Sequence, residues 1–173
     1  MMLDVSLTYY RYGFLGGEFL TWLWFYIVNT ETDVLFDNKK VFLEIGNKIV
    51  LERKANNGVE KVTIKGKDAG LEEGILSLKK GAVVKELNLS YRKEDKEWSF
   101  TVVGENMGLS NLKTPDIGFI ESKKDVEAFV VEKIFLYDAL YVLIDSLYKK
   151  FIKLRVSANW INVVSDMNKW INS

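Results

Sequence analysis

Between Lys124 and Val156, Val130, Ile134, Tyr137, Tyr141, Ile144, Tyr148 and Phe151 recur at spacings of 4, 3, 4, 3, 4 and 3. Leu136, Leu140, Leu143 and Leu147 form a parallel stripe beside them. Such spacing keeps side chains on one face of a helix with 3.6 residues per turn. Two adjacent stripes make an arc wider than a single contact requires. One side of this helix can cover a sheet. The other must meet another helix, in this chain or in a partner.

The layer it covers is written in a period of two. Leu87, Leu89 and Tyr91 alternate with Glu86, Asn88, Ser90 and Arg92, which the alternation points outward. After a polar turn at residues 93–96, Trp98, Phe100 and Val102 alternate with Glu97, Ser99 and Thr101. That is a hairpin with one wet face, as in antiparallel sheets. Upstream, residues 41–45 and 49–53 read as a hairpin around Gly46-Asn47, and Asn56-Asn57-Gly58 marks a second turn into residues 59–65. Gly16-Gly17 precede a helix to about Thr30, with Phe19, Leu20, Leu23, Trp24 and Ile27 on one face. Asp68 caps a short helix that Gly81 stops, and Ser157 caps a final helix to Ile171. Residues 1–13 read as a poor strand or an extended arm, and residues 104–122 as a loop holding the single proline, Pro115. The expectation is one α+β domain over residues 1–173. It has an antiparallel sheet of about five strands, with an N-terminal helix, a short crossover helix and two C-terminal helices packed on it.

Composition narrows the chemistry. The 173 residues are 48% hydrophobic and 28% charged, which excludes disorder and low complexity. There is no Cys and no His, which removes thiol nucleophiles, His-based triads, disulfides and Cys/His zinc sites. Glu72-Glu73 and Glu94-Asp95 lack the spacing of a calcium loop, and Gly104–Gly108 lacks the Lys-Ser/Thr of a phosphate loop. No cofactor, metal or small-molecule substrate is indicated, and an enzyme is the third-ranked reading. The apolar run Phe14–Val28 is fifteen residues with Glu18 inside it, too short and too polar to span about 30 Å of hydrocarbon. No signal peptide is evident, so a cytoplasmic chain is expected, with no membrane partner.

Charge is balanced overall, at 24 basic and 24 acidic residues, but it is not evenly spread. Residues 38–96 hold 14 basic and 9 acidic residues. Lys39, Lys40, Lys48, Arg53, Lys54, Lys79, Lys80, Lys85, Arg92 and Lys93 lie there, on outward positions or turns. Such a sheet face can follow a phosphate backbone without reading bases. These ten are the candidate DNA-binding residues. The competing reading is a structural or protein-interaction module without DNA affinity. It pairs the same cations with Glu52, Glu60, Glu86 and Glu94 as surface charges worth little each.

Three stretches carry a family resemblance. They are GGEFLTWLWF at residues 16–25, KEWSFT at residues 96–101, and GLSNLKTP at residues 108–115, with LKKGAVVKELNLSY at residues 78–91 between them. Together they resemble the C-terminal half of the recombination-associated protein RdgC family, over about residues 16–155. The resemblance implies a nucleoid-associated, sequence-independent DNA-binding protein. Family members dimerise into a ring around duplex DNA and restrain recombinase loading. It singles out Lys79, Lys80 and Lys85 as carried-over contacts. The doubly striped helix at 126–154 fits a homodimer surface, and an intramolecular helical pair explains it equally well.

Overall fold

Alternation alone sets the centre of the sheet. The computed structural model describes residues 13–30, 33–36, 39–56, 58–66, 70–118 and 122–173. The expected arm before residue 13 and the Asp68 cap lie outside them. Helix α1 spans Phe14–Asn29 and is followed by β1 (Asp33–Phe36), β2 (Lys39–Ala55) and β3 (Gly58–Lys65). Helix α2 (Gly70–Lys79) leads to β4 (Val83–Lys93), β5 (Lys96–Val103) and β6 (Gly108–Lys113). Two helices close the chain, α3 (Lys123–Arg155) and α4 (Trp160–Asn172). The α+β architecture with an antiparallel sheet is as expected, and among the described residues the sheet has six strands. One edge of β2 carries β1 and β3 end to end, and its other edge leads through β4 and β5 to β6.

Strand pairing overturns two readings. Residues 104–122 are not all loop, because β6 pairs with β5 from Val103↔Gly108 to Ser99↔Lys113. Its short, polar sequence hides the strand. Gly46-Asn47 is also not a turn, since β2 runs straight through it. Ile45 faces Leu89 and Ile49 faces Leu87, so three residues of β2 stand against Asn88 alone, a bulge. Asn88 is 6% exposed, not the outward polar residue that alternation predicts. Its Oδ1 accepts from the Asn47 N–H at 3.1 Å. Its Nδ2 donates to the Phe100 carbonyl at 3.0 Å and to Thr101 Oγ1 at 3.1 Å. The side chain satisfies the backbone that the bulge frees, and a buried polar group is stable only when bonded in this way.

The helices lie over the apolar face. Phe19, Leu20 and Leu23 of α1 join Leu87, Leu89, Phe100, Val102 and the leucines of α3 in one buried cluster. Helix α1 begins at Phe14, so Gly16 and Gly17 lie inside it instead of preceding it. Glycine inside a helix costs roughly 1 kcal/mol against alanine. Here close approach requires it. A Cβ on Gly16 would sit 1.7 Å from the Gly104 carbonyl oxygen, and one on Gly17 would sit 2.3 Å from Val83 Cγ1.

Helix α3 starts where the Asp125 carboxylate accepts from the Ser122 N–H and hydroxyl, at 2.8 and 2.7 Å. At 1.5 Å per residue it is about 50 Å long. The indole N–H of Trp98 donates to the Leu136 carbonyl at 3.1 Å and pins the helix to the sheet. Leu136, Leu140, Leu143, Ile144, Leu147 and Phe151 are buried. Val130, Ile134, Tyr137 and Tyr141 are exposed. The leucine stripe covers the sheet, and the second expected stripe is left largely uncovered by the described residues. Helix α4 packs Trp170 against Trp24 and Phe25, and Trp160 against Phe151. Its N-cap is Asn159, not Ser157, whose hydroxyl instead donates to the Leu154 carbonyl at 2.7 Å.

Candidate phosphate-binding cleft

Three sheet and helix ends meet beside the start of α1. The last residues of β2 bring Arg53 and Lys54, the turn after α2 brings Lys80, and the start of β4 brings Lys85. Their positions are separated in sequence by up to 32 residues, and the β2–β4 ladder brings them together: Glu52 faces Val83 across it. They edge a cleft of about 910 Å³. Phe14 and Gly17 of α1, Val83 of β4, and Trp160, Val164 and Met167 of α4 supply its apolar surface. Arg53, Lys54 and Lys80 also line an adjoining hollow with Asn56 and Glu60.

Local chemistry explains each position. Lys80 follows the last turn of α2, where a cation opposes the negative end of the helix dipole. Gly81, at φ +83°, reverses the chain there, a conformation that side chains disfavour. Two carboxylates enter the cleft, Glu18 from α1 and Glu52 from β2. Glu18 Oε2 accepts from Arg155 Nε at 2.8 Å, and the Arg155 guanidinium lies 5.5 Å from the centre of the Trp160 ring. Glu52 lies 3.7 Å from Lys85 Nζ, a loose and partly exposed pair.

The ten sequence candidates divide by place and by partner. Arg53, Lys54, Lys80 and Lys85 reach the cleft, and Lys79 ends α2 beside it. Lys48 is held by Glu86 at 2.7 Å, by the bulge in β2. Arg92 lies 3.6 Å from Glu44 and over the Phe42 ring. Arg92 and Lys93 end β4 about 23 and 26 Å from Lys85, at about 3.3 Å per residue. Lys39 and Lys40 pair through their backbone positions with Phe36 and Leu35 of β1. Arg53 is bonded to Glu60 at 2.5 Å. Glu52, Glu60 and Glu86 thus take the pairing role that the competing reading gives them. Among the described residues, Lys54 and Lys80 form no ion pair.

The contribution of α1 and α4 is absent from the sequence reading. Phe14, Glu18, Trp160, Val164 and Met167 look like ordinary helix residues, and no local signal ties them to Lys80 or Lys85. Among the described residues, the titratable group that burial most clearly perturbs is Tyr91 in the core; loss of solvent pushes its phenol above the usual value. Among the described residues no group of three acids could hold a metal ion, and no helix is long and apolar enough to cross a membrane.

Comparison with protein-family models returns no match, and neither does comparison with curated proteins.

Proposed function

We propose that the chain binds duplex DNA through its phosphate backbone, without reading sequence and without catalysis, with the cleft edge as the central contact. The observation that carries this reading is the convergence of Arg53, Lys54, Lys80 and Lys85 on one edge, with Lys54 and Lys80 free of acidic partners among the described residues. The ion pairs of Arg53 and Lys85 are partly exposed, and such pairs contribute about 0–1 kcal/mol. A phosphate can therefore displace their glutamates at small cost. The resemblance to the RdgC family supports the same reading.

The test is fluorescence anisotropy with a labelled random-sequence duplex, titrated at about 50 mM and about 200 mM salt, where counterion release is strongest in effect. The natural chain is expected to bind more weakly at the higher salt. Lys54→Glu with Lys80→Glu is expected to weaken binding alike on unrelated sequences and to flatten the log–log salt slope by about 2. Unchanged affinity in that variant would remove the cleft edge from the contact. No binding at the lower salt would remove DNA binding altogether.

A second reading, a protein-interaction module, draws on the uncovered face of α3. Val130, Val131, Ile134, Phe135, Tyr137, Tyr141 and Val142 are all exposed, Phe135 at 68%. We propose a second copy of this chain as its occupant. An antiparallel pairing centred on Ile134 sets Val126 against Val142 and Val131 against Tyr137. No two acids stand directly opposed in it. The occupant is thus matched in polarity, with no opposition of like acids.

A further inference from the structure

The cleft is built for more than a phosphate. Cations alone would suffice on a flat edge, yet these four border a concave apolar surface. Phe14, the first residue of α1, is 51% exposed there. A volume of about 910 Å³ lies within the range of roughly 300–1,000 Å³ usual for small-molecule sites. Resting on the phosphate-binding reading, we infer that the cleft accepts one unpaired nucleobase from a DNA strand whose phosphates lie along Arg53, Lys54, Lys80 and Lys85.

The chemistry inside the cleft selects a base. Every base offers a flat π-face, and an aromatic side chain stacks on it irrespective of sequence. Phe14 provides that face from one wall, with Val83 and Met167 among the other apolar groups. Glu18 and Glu52 add acceptor oxygens to the same walls. Bases carry ring or exocyclic N–H groups that donate to such oxygens, as thymine does through N3. An acyl chain carries none, and would desolvate the carboxylate lone pairs that Arg155 and Lys85 leave open without adding a hydrogen bond. In an intact duplex the bases are stacked and paired, so only a single strand, or a base turned out of the helix, can enter. Duplex DNA then uses the cleft edge alone, and single strands use the edge and the interior.

The experiment compares three labelled probes on the full chain by anisotropy at about 50 mM salt, where phosphate contacts are strong. They are a twelve-residue oligothymidylate, an abasic strand of the same length and charge, and a duplex. Oligothymidylate is expected to bind at least about fivefold more tightly than the abasic strand, the effect of one stacked base. Phe14→Ala is expected to abolish that difference and leave duplex affinity unchanged, while Phe14→Tyr keeps it. Equal binding of the thymidylate and abasic strands would overturn the base site and leave phosphate binding standing. A difference that survives Phe14→Ala would overturn this cleft as its location. Binding of none of the three would overturn the base site together with the phosphate reading it rests on.

Discussion

Replacing Asn88 by alanine tests whether the bulge in β2 is held from β4. Three hydrogen bonds are lost, to the Asn47 N–H, the Phe100 carbonyl and Thr101 Oγ1. Each is worth about 0.5–1.5 kcal/mol net. Water can reach the half-exposed bulge and recover part of this, so the expected loss is about 2–3 kcal/mol. For a chain of this size that lowers Tm by roughly 5–10 °C, at about 2–4 °C per kcal/mol. The same side chain explains Gly46, because a Cβ there would sit 1.9 Å from Asn88 Oδ1. Gly46→Ala alone is therefore expected to cost about 1–3 kcal/mol as an overpacked contact. With Asn88→Ala already in place the space is open, and the glycine substitution is expected to cost little. Urea unfolding followed by tryptophan fluorescence gives all four corners of the cycle, and the coupling is expected to be at least about 1 kcal/mol. If the two changes simply add to within about 0.5 kcal/mol, Asn88 does not fill the bulge and the reasoning fails.

Three further outcomes are expected. Gly16→Ala improves helix propensity by roughly 1 kcal/mol, yet its Cβ meets backbone oxygen at 1.7 Å. A net lower urea midpoint is expected, and a higher one would refute the close approach of α1 to Gly104. Ile134→Asp places a charge at the centre of the uncovered α3 face. In light scattering across a concentration series it is expected to be monomeric, with a Tm that no longer rises with protein concentration, and a monomeric natural chain would refute pairing through α3. Tyr91 has its phenol pKa raised by burial, so the native state keeps a proton that the unfolded chain releases more easily. Its contribution to stability is full below the ordinary tyrosine pKa of about 10 and is lost as pH rises through the native value. Tyr91→Phe should flatten the alkaline decline in unfolding free energy above about pH 10. An unchanged alkaline slope would count against Tyr91 as its source.

Periodicity made most of the architecture legible. The alternation of Leu87, Leu89 and Tyr91 with Trp98, Phe100 and Val102 specified a hairpin and its buried face, and all six are buried. The stripe from Phe19 to Ile27 specified α1 in the same way, since each position's neighbours three and four residues away decide its face. Readings failed where a partner distant in sequence decides. Gly46-Asn47 has the composition of a turn, and only pairing with β4, more than 40 residues on, keeps the strand running through it. Residues 108–113 carry little strand pattern, and β5 makes them a strand by supplying ladder partners.

The candidate site divides along the same line. Sequence alone determined that the cations concentrate between residues 38 and 96, that no Cys or His is present to do chemistry, and that the long helix is apolar around more than one face. Those properties are sums or short-range periods, and any fold inherits them. Tertiary structure decided which cations lie together. Lys48 and Arg92 were given to Glu86 and Glu44 across strands, while Lys54 and Lys80 were left free among the described residues, beside Phe14 from a helix at the other end of the sequence. It also decided that the leucines of α3, and not Val130, Ile134 or Tyr141, face the sheet. Both outcomes depend on distances between residues far apart in the chain, and strand register and helix rotation set those distances only when the whole core packs.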